Sequence, residues 1–187
     1  MTKLKSICVY CGASDAVSPG YIALAEELGR ELAKQDIRLV YGGGGVGLMG
    51  ACARAAHESA GEVLGIMPRF LLQKERIFED VEHPIVEDMH TRKQMMFDES
   101  DAFIVLPGGI GTLEEAVEIL SWARLGLHAK PMAFLDEDEF WEPFFDLMEK
   151  IIEGGFTPES FRSLLVHSDS PQTAISALTD RMIVLDA

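Results

Sequence analysis

The residue types best suited to chemistry in this 187-residue chain gather in three segments. Gly42 to Gly50 reads GGGGVGLMG, with Gly43, Gly44, Gly45 and Gly47 in the turn itself. Met89 to Met95 reads MHTRKQM and sets Arg92 beside Lys93. Pro107 to Glu115 reads PGGIGTLEE, so that Gly108, Gly109 and Gly111 precede Thr112, Glu114 and Glu115. A glycine-rich turn that opens a helix lets an anion approach backbone N–H groups at the positive end of the helix dipole. That end favours an anion by roughly 0.3–1 kcal/mol per charge. An acidic residue in the first turn is ordinarily a capping residue. A phosphate at the same helix start would repel a carboxylate that served structure alone, so Glu114 and Glu115 point to chemistry beside the anion. A buried carboxylate can stabilise a developing positive charge and orient or deprotonate water. Arg92 stays protonated, so it can fix a phosphate but cannot act as a base.

Other readings of these residues are weaker. Gly42, Gly44 and Gly47 fit G-x-G-x-x-G, but a dinucleotide site wants an acidic residue at the end of the following strand. Here that strand ends at Met67, Pro68 and Arg69, with Glu62 at its wrong end. A Walker loop needs Lys and Ser or Thr after its last glycine, where this chain has Leu48 and Met49. The remaining alternative for the first loop is a tight strand-to-helix turn without a ligand. Cys8 and Cys11 have C-x-x-C spacing, yet they bracket a strand end and, with Cys52, read as small buried residues. The five histidines are scattered, and no metal or cofactor is implied.

The elements that must carry these segments alternate. Strand-like runs at Ile7–Tyr10, Ile37–Tyr41, Val63–Met67, Ala102–Leu106, Met132–Leu135 and Leu164–His167 are separated by helical patterns. The helices are expected at 19–34, 48–59, 91–100, 112–127 and 141–152, with a closing helix to Arg181. The charged stretch 69–88 holds at most a short strand around Ile85 and Val86. The strands are continuous apolar runs, as expected of a parallel sheet covered by helices on both faces. This pattern predicts one α/β domain over residues 1–187, with a doubly wound, mainly parallel sheet in three layers. Both glycine loops follow strands, and two such loops face one another only if their strands flank the crevice where strand order reverses.

A formal net charge of −15 opposes binding to a polyanion, so no nucleic-acid partner is expected. A small anion can still bind where local positive charge and backbone amides prevail. No apolar run approaches the roughly 20 residues of a bilayer span. Met1 to Lys5 runs directly into a strand, so no secretory leader and a cytoplasmic location are expected.

In order and spacing, GGGGVGLMG, MHTRK, PGGIGTLEE and SWARLGLHAKP (Ser121 to Pro131) resemble the LOG family of cytokinin riboside 5′-monophosphate phosphoribohydrolases. The family's members have often been labelled lysine decarboxylases, and the resemblance spans nearly the whole chain. It implies a Rossmann-like homodimer, with the active site near the interface. The implied reaction cleaves the N-glycosidic bond of a nucleoside monophosphate, AMP or an N6-modified AMP, to free base and ribose 5-phosphate. It assigns catalysis to Arg92 and Glu115. It gives substrate contacts to Lys93, Gly108, Gly109, Ile110, Gly111, Thr112, Leu113, Glu114 and Ser121, and to Glu75 upstream of MHTRK. Ser121 stands where threonine is common, and DEDEFW (Asp136 to Trp141) replaces a glycine–tyrosine turn. Cleaving a ribosyl C–N bond builds oxocarbenium character, which suits these residue types. A decarboxylase would need a Schiff-base lysine, and Lys93 and Lys130, the only candidates near the motifs, lie in no recognisable cofactor frame. A nucleotide-sensing module would use the loops without needing Arg92 or Glu115.

Overall fold

The computed structural model describes residues 4–73 and 76–185. Continuous apolar runs become strands buried on both sides. β1 (Ser6–Tyr10), β6 (Ala102–Val105) and β7 (Met132–Leu135) are buried at every position. With β2 (Arg38–Tyr41), β3 (Val63–Gly65) and β8 (Val166–Ser168) they form a parallel six-stranded sheet in the order β3-β2-β1-β6-β7-β8. Alternate residues of each strand feed two separate cores. Ile7, Val9, Leu39 and Ile104 meet α1 (Pro19–Lys34), α2 (Gly47–Glu58) and α6 (Pro171–Leu185) through Leu28, Ala51 and Leu178. Cys8, Tyr10, Phe103 and Val105 meet α3 (Met89–Asp98), α4 (Ile110–Arg124) and α5 (Glu142–Glu153) through Met96, Ala116 and Ile152. The result is the expected doubly wound, three-layer α/β architecture.

The chain builds outward from β1 to β3, then crosses back to lay β6 on the other side of β1. The reversal therefore lies between β1 and β6, where ligands bind in open sheets of this type. The loops that meet there follow β1 and β6. The glycine loop after β2 is one strand further out, which alters the expectation that the two glycine loops face one another.

α4 begins two residues earlier than expected, at Ile110, and ends at Arg124, and three other departures have local reasons. The run Val63–Met67 does not stay one strand: after Gly65 the chain leaves the main sheet, and β4 (Met67–Pro68) pairs with β5 (Ile85–Val86) in a separate two-stranded ribbon. The N–H of Ile66 still donates to the Tyr41 carbonyl at 2.9 Å, but its own carbonyl is left for a side chain. Residues Glu159–Leu164 wind into a 3-10 turn, which delays β8 to Val166. α3 starts at Met89, because the Asp88 carboxylate accepts the Thr91 N–H at 2.8 Å as an N-cap. No described helix is long and apolar enough to cross a membrane.

All three cysteines are free and at most 1% exposed. Burial pushes their thiols up, that of Cys52 to about 12. A disulfide-exchange reagent such as 5,5′-dithiobis(2-nitrobenzoate) should label none of them in the native protein and all three in denaturant. A fast-reacting native thiol would contradict this packing.

Candidate active site

Arg92 occupies the second turn of α3, and its side chain is only 5% exposed. Its guanidinium joins three separate pieces of chain. Nε donates to the Ile66 carbonyl at 3.2 Å, Nη2 to the Gly42 carbonyl at 3.3 Å, and Nη1 to Glu115 Oε1 at 2.9 Å. Three of its five N–H groups are thereby used. The approach to Gly42 explains that glycine, since a Cβ there would lie 1.9 Å from Nη2. The bend after β3 has the same cause, because it delivers the Ile66 carbonyl to Nε.

Glu115 lies about a turn and a half into α4, and its side chain is 7% exposed. Two effects compete on its carboxyl group. Burial disfavours the ionised form and Arg92 favours it; burial prevails, Glu114 adds its repulsion, and the group is pushed up to about 7. A carboxyl that exchanges its proton near neutrality is suited to acid–base work.

The two helices opened by glycine loops have opposite starts. At α2 the Asp15 carboxylate accepts the Gly47 N–H at 2.8 Å, and the Gly12 carbonyl accepts those of Leu48 and Met49 at 3.0 and 3.3 Å. Gly47 has a φ of +59° and lies so close to the backbone of Ala13 and Ser14 that a Cβ would meet them at 2.7 Å. The Gly45 N–H donates to the Arg76 carbonyl, and Gly44 bridges Ile77. Gly43 packs on Met67 and His83. The structure thus places Gly43, Gly44, Gly45 and Gly47 against the protein itself, with the Asp15 carboxylate on the Gly47 N–H.

At α4 the N-cap is Gly109, with no side chain to cap the helix. Among the described residues, the N–H groups of Ile110, Gly111 and Thr112 have no hydrogen-bond partner. A Cβ added at Gly109 or Gly111 would enter open space, so packing inside the chain does not account for either glycine. Gly108 is different, since its Cβ would collide with Thr112 Oγ1 at 2.2 Å. These bare amides face a cavity of about 390 Å³, within the range of small-molecule sites. Its walls include Arg92, Thr112, Glu114 and Glu115, the loop Cys11–Ala13 after β1, and Met49, Leu71 and Met89.

Several expected site residues are placed elsewhere. Lys93 does not line the cavity; its ammonium pairs with Glu114 at 2.6 Å and Glu118 at 2.9 Å. Leu113 and Ser121 lie on the outer face of α4, in a shallow groove with Ile110, Val117 and Trp122. Glu75 lies outside the described residues. Gly12 and Asp15 escaped sequence reasoning, although the CGASD segment after the first strand marked a turn there.

Comparison with known proteins bears on these residues. Residues 49–178 match the family model described as "Possible lysine decarboxylase". A cytokinin riboside 5′-monophosphate phosphoribohydrolase from Arabidopsis thaliana is 41% identical over 180 residues, 96% of this chain and 84% of that protein. Another of the same name, from Oryza sativa subsp. japonica, is 39% identical over 96% of this chain and 74% of its own. Among solved structures, the molybdenum cofactor binding protein of Rippkaea orientalis superposes with a TM-score of 0.74 at 20% identity, covering 97% of this chain and 99% of that one. At that identity the likeness concerns the fold alone.

The two kinds of glycine separate by mutation. Gly42→Ala should displace the guanidinium and lower unfolding stability in urea by about 1–3 kcal/mol. Gly111→Ala, whose methyl enters open space, should change it by less than about 0.5 kcal/mol. Equal effects would contradict the assignment.

Proposed function

The chain belongs to the LOG family, whose model carries the description "Possible lysine decarboxylase", and we propose that the cavity between Arg92 and the start of α4 is where it performs the family's hydrolysis. The reaction is hydrolysis of the N-glycosidic bond of a purine nucleoside 5′-monophosphate, AMP or an N6-modified AMP. Its products are the free base and ribose 5-phosphate. What carries the assignment to this cavity is one juxtaposition: an uncapped helix start beside a buried carboxyl that titrates near pH 7.

The N–H groups of Ile110, Gly111 and Thr112 receive the 5′-phosphate, with the Thr112 hydroxyl as a further donor. Gly109 and Gly111 are glycines because the phosphate occupies the space a side chain would take. Glu115 follows Ile110 by five residues, about 7.5 Å along the helix axis at 1.5 Å per residue, which sets it toward the sugar rather than the phosphate. As the C–N bond breaks, positive charge develops on the ribose; ionised Glu115 stabilises it and accepts the proton of the attacking water, which adds its hydroxyl to the sugar, and that proton passes to the departing base. Arg92 holds Glu115 in place and has two uncommitted N–H groups for the phosphate or the departing base. Lys93 braces Glu114 and Glu118 and so acts on the site through α4.

Decarboxylation suits the geometry less well. Lys93 is held between two carboxylates, and Lys130 donates to the Phe97 carbonyl at 2.6 Å, away from the cavity.

We further propose a homodimer formed through α4. Ile110, Val117 and the partly buried Leu113 make an apolar stripe along its outer face, with Ile110 83% and Val117 44% exposed. Ile110 also lines the catalytic cavity, and Ser121 extends the stripe, so a second copy seated there would complete the site.

Chromatography should show adenine released from AMP and none from adenosine, which lacks the phosphate. Glu115→Gln should lower the rate by about 10²–10⁴-fold while nucleotide binding persists. Because the ionised form is active, kcat/KM should rise with pH through about 7 and fall about tenfold per unit below it. Near-normal AMP cleavage by Glu115→Gln would refute the role. Val117→Asp should sediment as a monomer with reduced activity; an unchanged sedimentation coefficient would overturn the interface.

A further inference from the structure

A second cavity, of about 560 Å³, lies away from the site just described. It opens at the amino end of β7, beside the far end of α4, and α6 and the 3-10 turn before β8 close its other sides. Its walls are mostly apolar, with Ile119, Leu120, Met132 and Leu164 among them. The charged residues on its walls are Lys130 and Arg181, and no carboxylate lines it, in a chain with 31 acidic and 16 basic residues.

Neither cation is held in a close ion pair, although Asp98 and Asp101 are near enough to act on Lys130 through space. The Lys130 ammonium donates to the Phe97 carbonyl and sits 3.9 Å over the Phe97 ring. Arg181 donates to the Ser163 carbonyl. Among the described residues no carboxylate pairs with either at ion-pair distance, whereas Arg38, Arg69, Arg92, Lys93 and Arg162 are all so paired. Burial pushes both side chains down, and at Lys130 it prevails over the opposing pull of Asp98 and Asp101. Of the other polar wall residues, the Ser163 hydroxyl donates to the Ser160 carbonyl, and both nitrogens of His128 are occupied: Nδ1 accepts the Lys130 N–H at 3.1 Å, and Nε2 donates to the Ile119 carbonyl at 3.0 Å. The imidazole therefore braces the segment carrying Lys130 in its neutral form and offers no donor to a ligand.

We propose that this cavity is a second ligand site, for a molecule with an extended apolar body that ends in one anionic group, a carboxylate or a phosphate monoester. The apolar walls take the body, and Lys130 and Arg181 take the anion. A nucleotide does not fit this description, because its base and sugar would leave several polar groups unpaired against apolar walls.

Isothermal titration of the intact protein with decanoate, decyl phosphate, decanol and decyltrimethylammonium tests the site. One decanoate or decyl phosphate should bind per chain, and the better of the two identifies the head group. Decanol and decyltrimethylammonium should bind at least about tenfold more weakly, the loss of a charged hydrogen bond. Arg181→Gln should weaken decanoate by a similar factor while the rate of AMP cleavage stays unchanged, and AMP should not displace the bound decanoate. Ala123→Trp, which fills the cavity, should abolish binding; should that variant not fold, Arg181→Gln stands alone. The proposal is overturned if no anionic amphiphile binds, if decanol binds as tightly as decanoate, or if Arg181→Gln leaves decanoate binding intact. Affinity that falls as protein concentration rises would also overturn it, since a second copy would then cover the cavity.

Discussion

A guanidinium removed from water must be surrounded by acceptors, and much of the site is arranged to meet that demand for Arg92. The side chain lies at the meeting point of α3, α4, the β2 loop and the bend after β3, and takes one acceptor from each of the last three. Removing one partner of such a buried pair typically costs about 3–5 kcal/mol, because the other charge is left uncompensated. The same enclosure that makes the pair costly to break also raises the Glu115 carboxyl toward neutrality. Structural necessity and chemical readiness therefore come from one burial.

The two helix starts show how a −15 chain can still hold an anion. At α2 the chain supplies its own carboxylate, Asp15, and so closes that end to outside anions. At α4 it supplies nothing, and the amides stay open to solvent beside a fixed cation. An uncapped helix turn favours a small anion, while a net negative field opposes long polyanions.

Much of the fold was legible in the sequence. Apolar runs without alternation announced a covered parallel sheet, and their order with the intervening helices announced the double winding. The break at Ile66 was not legible, because it serves a side-chain contact with Arg92, 26 residues later. Within the site, Arg92, Glu115 and the PGGIGT turn were readable from residue type and place. Their ion pair was not, since it joins two helices that only the tertiary fold brings together. The first glycine loop was ambiguous for a physical reason: glycine serves equally for a ligand and for close approach of the chain to itself. Only the surroundings of each Cα separate the two, and at Gly47 those surroundings are Ala13 and Ser14. Lys93 and Ser121 likewise lie on the right helices but face away from the cavity.

The fit of Arg92 against Gly42 also bears on how this protein can diverge. No side chain can be added at position 42 while the guanidinium lies there. Conversely, a descendant that has lost the arginine no longer needs glycine at that place. Two positions 50 residues apart are therefore bound to a shared history, and a bulky residue at the first marks a lineage that has given up the second.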